Sequence, residues 1–226
     1  MLPLRDIQER RTFPIVNTAI IIVNVLVFLY ELSLGTRLNV FLMSAAFVPA
    51  NFFQPGAAVG ETRSIFVSMF LHGGWMHLLG NMLYLWIFGD NIEDRLGRIK
   101  YVLFYLLCGV AATLAHGLSD PHSSVPSVGA SGAIAGVLGA YLLTFPKARV
   151  LTLVPLGFYT QLRELPAILV LGGWFVLQFF SGIVSLGARG VGGVAWWAHI
   201  GGFLTGMALI KLMDRGPRPE SMRILR

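Results

Sequence analysis

Apolar residues fall in six runs separated by short polar stretches: 15–34, 75–92, 99–118, 129–145, 165–186 and 194–213. Each run approaches the ~20 residues an α-helix needs to cross a bilayer. The pattern predicts an all-α polytopic membrane protein built as a bundle of six transmembrane helices. The first run carries Asn17, Asn24 and Tyr30, and no small-residue cleavage site follows it. It is therefore expected to be a retained span and not a signal peptide. The longest connection, 35–74, is too apolar for a plain hydrated loop. Its segments Leu38-Asn39-Val40-Phe41-Leu42 and Ile65-Phe66-Val67-Ser68-Met69-Phe70-Leu71 are expected at or in the membrane interface. Residues 119–128 are rich in Ser and Pro and predict a turn-rich connection, and the Gly-rich stretch 187–193 predicts a mobile one. One domain is expected over 1–226, with a core of about 15–213. The tails 1–14 and 214–226 are expected to be short, the second ending in a disordered stretch around Pro217-Arg218-Pro219.

Composition excludes a soluble domain. The chain is 55% hydrophobic and 12% charged, with a mean hydropathy of +0.71, far too little charge for a water-exposed surface. With the N-terminus inside, 14 of the 17 Lys and Arg fall on the inner side, and only Arg37, Arg63 and Arg189 stay outside. Positive residues favour the cytoplasmic face. Both termini are thus expected in the cytoplasm, in a bacterial-type plasma membrane. The formal charge of +6 then reflects topology and contact with anionic lipid. No basic stripe with interleaved aromatics lies outside the spans, so no nucleic-acid partner is expected. Cys108 is the single cysteine and can form neither an internal disulfide nor a multi-thiolate metal site. There is no His-Glu-x-x-His zinc signature, and neither a metal nor a cofactor is expected.

The topology makes the second, fourth and sixth runs parallel, so depth can be counted from their inner ends at ~1.5 Å per residue. Ser131 then lies about 22 Å above Pro146, and His199 about 22 Å above Asp214. His77 lies about 24 Å above Glu93, and Asn81 about 18 Å. Four polar residues from three spans share one layer. The fourth run is short, so residues 119–128 are expected to form a sunken loop lining a wet cavity.

A serine hydroxyl needs a base to take its proton, and His199 and His77 are the histidines available at that depth. Ser131 at a helix N-terminus also gains free backbone N–H groups and the positive dipole end, both suited to a developing oxyanion. His77 and Asn81, spaced i, i+4, face one side of their helix and are candidates for the rest of an oxyanion hole. No carboxylate lies in the fourth or sixth span. The expected unit is a Ser131–His199 dyad without the acid of a triad. Gly132 and Gly136, and Gly202 and Gly206, form GxxxG pairs beside Ser131 and His199. With Gly129 they predict close helix packing that brings hydroxyl and imidazole together.

Gly129-Ala130-Ser131-Gly132, Ala198-His199-Ile200-Gly201-Gly202 and His77-Leu78-Leu79-Gly80-Asn81 resemble the three motifs of the rhomboid intramembrane serine proteases. Phe70-Leu71-His72-Gly73-Gly74 and Phe88-Gly89-Asp90-Asn91-Ile92-Glu93 are also similar to that family. The resemblance covers about residues 15–213, with the motifs in the family's order. It implies Ser131 as nucleophile, His199 as general base, and His77 with Asn81 in the oxyanion hole. It also implies single transmembrane helices as substrates, entering sideways and cut near the outer face through an acyl-enzyme. Two positions depart from the family pattern. Ala135 stands where some members carry a Tyr stacked under the base, so Trp196 or Trp197 is the candidate replacement. The Trp-Arg pair of the first outer loop is absent, although Arg63 stands nearby.

Competing readings are a transporter using His77, His199 and Asn81 as a polar path, and a protease-dead relative that binds membrane helices. The first lacks an intramembrane cation or carboxylate pair for coupling; the second is expected to lack the serine or the histidine. Trp174, Phe175, Phe179 and Phe180 are expected to face lipid or to pack, with a role in a lateral gate as the lesser reading. His72 is expected to be structural, and His116 and His122 to be solvated loop ends.

Overall fold

The computed structural model describes residues 1–157, 159–186 and 194–214. The expected mobile connection 187–193 and the expected disordered end around Pro217 lie outside the described residues. Helix α1 (Ile15–Ser33) is followed by three short helices, α2 (Leu38–Ala45), α3 (Pro49–Phe52) and α4 (Ala58–Ser68). Five long helices build the bundle: α5 (Trp75–Leu96), α6 (Arg98–Ser119), α7 (Ser131–Thr144), α8 (Ala167–Ser185) and α9 (Trp196–Met213). Among the described residues, α1, α6 and α8 are long and apolar enough to cross a membrane, and α7 is a shorter apolar helix. Helices α5 and α9 are as long but less apolar, because they carry the polar residues His77, Asn81 and His199 and charged ends.

Helix α7 sits at the centre. Ten consecutive residues from Gly132 to Tyr141 are buried, so it is apolar all round, as a fully enclosed helix must be. It packs against α9, α6, α5 and α8, and α1 lies outside against α5 and α6. The contact with α9 is made by glycine. A methyl group on Gly202 would run into the carbonyl of Gly132, one on Gly206 into the carbonyl of Gly136, and one on Gly139 into the carbonyl of Phe203. The two backbones touch directly, as small-residue faces allow in lipid.

The all-α expectation needs correcting. Three strands, β1 (Leu2–Asp6), β2 (Arg149–Leu156) and β3 (Tyr159–Pro166), form one antiparallel sheet in the order β1-β2-β3. Residues of the expected N-terminal tail supply β1, and the stretch between the fourth and fifth apolar runs supplies most of the β2–β3 hairpin. The local cause is the alternation of Val150, Thr152 and Val154 with a turn at Gly157, whose φ of 66° favours glycine. Val150 and Thr152 are buried.

The segments expected on the inner side converge on one pole. Arg10 pairs with Asp90 at 3.1 Å, and Thr12 donates to Asp94 at 2.6 Å. The Glu93 carboxylate accepts the Val16 and Asn17 N–H groups at 3.1 and 2.7 Å, satisfying donors of the first turn of α1 that have no helical partner. Arg95 pairs with Asp214 at 2.7 Å. Asp6 accepts hydrogen bonds from Tyr141 at 2.7 Å and Asn91 at 2.8 Å, which fastens the sheet to α7 and α5.

The other end is closed by residues 35–74. Helix α2 has no buried residue, consistent with an interfacial position. The segment 65–71 differs from expectation: Ile65, Met69 and Leu71 are buried in the protein, because α4 packs on α6.

Candidate active site

Helix α7 begins at Ser131, and no side chain caps its N-terminus. The N–H groups of its first turn therefore lack side-chain partners. Two residues earlier Gly129 has φ 128°, a conformation rare for residues with a side chain. A methyl there would lie 2.7 Å from Nε2 of His77, so this glycine serves both the turn and the close approach of the ring. Its N–H donates to the Ser68 carbonyl at 2.9 Å, which ties the entry of α7 to α4.

Ser131 Oγ lies 2.8 Å from His199 Nε2. The other ring nitrogen, Nδ1, lies 2.6 Å from Oε1 of Gln178 on α8. An amide oxygen only accepts, so Nδ1 carries the proton and donates to Gln178. Nε2 is then bare and accepts the Ser131 hydroxyl hydrogen. Serine, imidazole and amide thus form a line of hydrogen bonds across α7, α9 and α8. His199 and Gln178 are each 8% exposed, so neither bond competes with bulk water.

His77 and Asn81 follow one another by a turn on α5. The Gly73 N–H donates to His77 Nδ1 at 3.3 Å, which leaves the proton on Nε2, beside Gly129. The Nδ2 group of Asn81 is buried without a hydrogen-bond partner. An orphaned buried donor is costly, about 1–3 kcal/mol, so this amide is free to donate to a group that enters the site. A cavity of about 20 Å³, enough for one water molecule, adjoins Ser131 and is lined in part by Ser68, Thr113, Ser127 and Ser131.

The loop before α5 is held from α1. Both carboxylate oxygens of the buried Glu31 accept the His72 N–H, at 3.2 and 3.1 Å. The His72 ring lies 5.2 Å from the His77 ring, edge to face, so this structural contact supports a site residue. Burial, with His77 nearby, lowers the pKa of His72 to about 4, so its ring is neutral.

Aromatic support for His199 comes from two helices. Trp196 meets the ring edge-on at 6.4 Å, and Trp174 lies beside it at 5.7 Å. Trp174, expected to face lipid or to pack, also contacts Phe203, and Phe175 stacks on Phe203 at 4.5 Å. Phe179 and Phe180 are exposed. His122 is exposed, but His116 lies within α6 with Nδ1 buried, so it is not a solvated loop end. Among the described residues no group of three or more His, Cys, Asp or Glu is placed to hold a metal ion.

Gln178 is absent from the sequence expectations. Its signal was available: it is the only amide in an otherwise apolar 19-residue helix, and polar groups at such positions are usually functional.

A family profile described as the rhomboid domain matches residues 59–215. The chain belongs to the rhomboid family. The matched stretch contains His77, Asn81, Ser131, Gln178 and His199. Rhomboid-like protein 11, chloroplastic, of Arabidopsis thaliana is 32% identical over 151 residues, 66% of this chain and 51% of that relative. Rhomboid protein 1, mitochondrial, of Saccharomyces cerevisiae is 33% identical over 153 residues, 64% of this chain and 40% of its own. Rhomboid protease GluP of Bacillus subtilis is 37% identical over 100 residues, 44% of this chain and 19% of its own. The matched segments span about half or less of these relatives. Their names cover chloroplast and mitochondrion, so they do not favour the bacterial plasma membrane expected from the charge pattern.

Proposed function

We propose that this rhomboid is a serine endopeptidase that cleaves single transmembrane helices inside the membrane. The observation that carries the reading is the 2.8 Å bond between Ser131 Oγ and His199 Nε2, made between two apolar helices. Ser131 Oγ attacks the scissile carbonyl carbon as His199 Nε2 takes its proton. The carbonyl oxygen becomes an oxyanion. The unpartnered Asn81 amide, His77 Nε2–H and the first-turn N–H groups of α7 are the donors available to it. The intermediate collapses, and the imidazolium gives its proton to the departing amine. This leaves an ester on Ser131. A water molecule, for which the adjoining cavity has room, then loses a proton to His199, attacks the ester and releases the acid with the serine restored.

We also propose six spans, α1 and α5 to α9, with both termini on the positively charged side. Helix α6 has 22 residues and rises about 33 Å, whereas α7 has 14 and rises about 21 Å. Helix α6 begins at the charged pole and α7 ends there, so Ser131, the first residue of α7, lies roughly 10 Å below the far end of α6. That depth favours cleavage near the outer face. A carbonyl in a helix is engaged and shielded, so substrates with small or helix-breaking residues at the cut are favoured.

The test is cleavage of a single-span reporter in proteoliposomes, with the product mapped by mass spectrometry. Wild type should cut within the apolar segment, and Ser131→Ala and His199→Ala should each be inactive while remaining folded. Wild-type turnover by Ser131→Ala would exclude the reading and favour a polar path through His77 and His199.

A further inference from the structure

We infer that Gln178 is the positioning residue for His199, so that the docking of α8 against α9 is a condition for a competent base. The inference rests on the serine-protease reading of Ser131 and His199. Its geometric basis is independent of that reading. The Gln178 amide oxygen lies 2.6 Å from Nδ1 of His199, and both side chains are 8% exposed. A neutral imidazole has two tautomers, and only the one with Nδ1–H presents a bare Nε2 to a serine hydroxyl. In a site without a carboxylate, the amide oxygen selects that tautomer. It does so with no net charge to desolvate, which suits a membrane interior.

A second observation places the whole face of α8 on this task. Trp174 is one turn before Gln178 and lies 5.7 Å from the same ring. Gly182 is one turn after it, and a methyl there would lie 3.1 Å from Ile200 on α9, the residue next to His199. Positions 174, 178 and 182 form one stripe along the helix. Trp174 bounds the ring, Gln178 fixes its proton, and Gly182 sets how closely α8 approaches α9. The same stripe fills the role left open by Ala135. The opposite side of α8 is turned outward: Ile168, Leu169, Val176, Leu177, Phe180 and Val184 are all exposed. The base is therefore oriented by a helix whose other face meets lipid, and any excursion of α8 releases Nδ1.

The role differs from simple packing in its signature. Gln178→Leu keeps the volume and removes the acceptor. It should lower kcat by about 10–10²-fold, part of the 10²–10⁴ a positioned base supplies, and leave KM within about twofold. Gln178→Glu restores an acceptor and adds a negative charge. It should recover kcat at high pH and move the acid limb of kcat/KM up by about 1–3 pH units, because a carboxylate at this distance favours the imidazolium. His77 and His116 are the other titratable groups whose field reaches the ring, and both are unchanged in this variant. Ring ¹⁵N spectra of detergent-solubilised protein, assigned with His199→Ala, should show the Nδ1–H tautomer in wild type and a mixture in Gln178→Leu.

Wild-type kcat in Gln178→Leu, or an acid limb of Gln178→Glu that coincides with wild type, would overturn the inference. A Gln178→Leu protein that fails to fold leaves the Gln178→Glu profile and the wild-type tautomer to decide it. If Ser131→Ala still cleaves, the serine-protease reading fails. If Ser131→Ala is inactive and Gln178→Leu is not, only the positioning role fails.

Discussion

Gly202→Ala adds one methyl group at the place where α9 crosses α7. The new carbon would point at the carbonyl oxygen of Gly132, which is backbone and cannot rotate away. It would fall more than about 1 Å short of ordinary van der Waals contact, which begins near 3.4 Å. The helices must separate by roughly that amount, and inserting a methylene-sized group into a packed core costs about 1–3 kcal/mol. Gly202 follows His199 by three residues, and Gly132 is next to Ser131. A shift of about 1 Å at the crossing therefore reaches the 2.8 Å bond between Ser131 and His199 and takes it beyond hydrogen-bonding range. A misplacement of that size costs about 10²-fold in rate. The assay is single-span reporter cleavage in proteoliposomes beside thermal unfolding in detergent. Gly172→Ala and Gly173→Ala are the controls, since nothing lies within 4 Å of a methyl at either position. Gly202→Ala should cut about 10²-fold more slowly, with a lowered unfolding temperature, and both controls should behave as wild type. A Gly202→Ala protein with wild-type rate and stability would refute the claim that this crossing sets the dyad geometry.

Two further outcomes are expected. Asn81→Ala removes the orphaned donor and should lower kcat by about 10²–10³ with little loss of stability, because the buried Nδ2 makes no hydrogen bond within the protein; an unchanged kcat would take Asn81 out of the oxyanion hole. At the charged pole, burial lifts the Asp6 carboxyl from 3.8 to about 6, the Tyr141 hydrogen bond opposing this and Asp90 adding to it. The folded state then holds the proton more tightly than the unfolded state, so stability falls as pH rises from about 4 through 6 and levels off above. Asp6→Asn should flatten that fall in unfolding temperature measured from pH 4.5 to 7.5, and an unaltered slope would remove Asp6 as its source.

The long apolar runs and the site were legible for one reason: polar groups in lipid are costly, so those that persist stand out. Ser131, His199, His77 and Asn81 each interrupt an apolar segment, and counting depth along three parallel helices placed them in one layer. The two GxxxG pairs pointed to the α7–α9 crossing because each lies beside one of the two candidate catalytic residues, and small residues let helix backbones approach closely in lipid. Gln178 obeys the same logic, yet it stands alone in its helix with no neighbouring motif to give it a partner, and only the packing of α8 on α9 reveals one. Trp174 was masked for a different reason, since an aromatic in a span fits lipid-facing and bundle-facing positions equally well. The sheet was hidden by the length of its strands. Five residues from the N-terminus and a short hairpin lack the long periodicity of a span, and the pairing of β1 with β2 joins segments that lie far apart in the chain.

The most direct test of the central claim, that His199 activates Ser131 inside the bundle, is labelling of the detergent-purified protein with a fluorophosphonate followed by peptide mapping. The account predicts one adduct, on Ser131, that is absent in Ser131→Ala and strongly reduced in His199→Ala while both variants keep the wild-type unfolding temperature. Folded wild-type protein that takes no adduct from this probe or from a smaller electrophile, or an adduct on Ser131 that persists undiminished in His199→Ala, would contradict it.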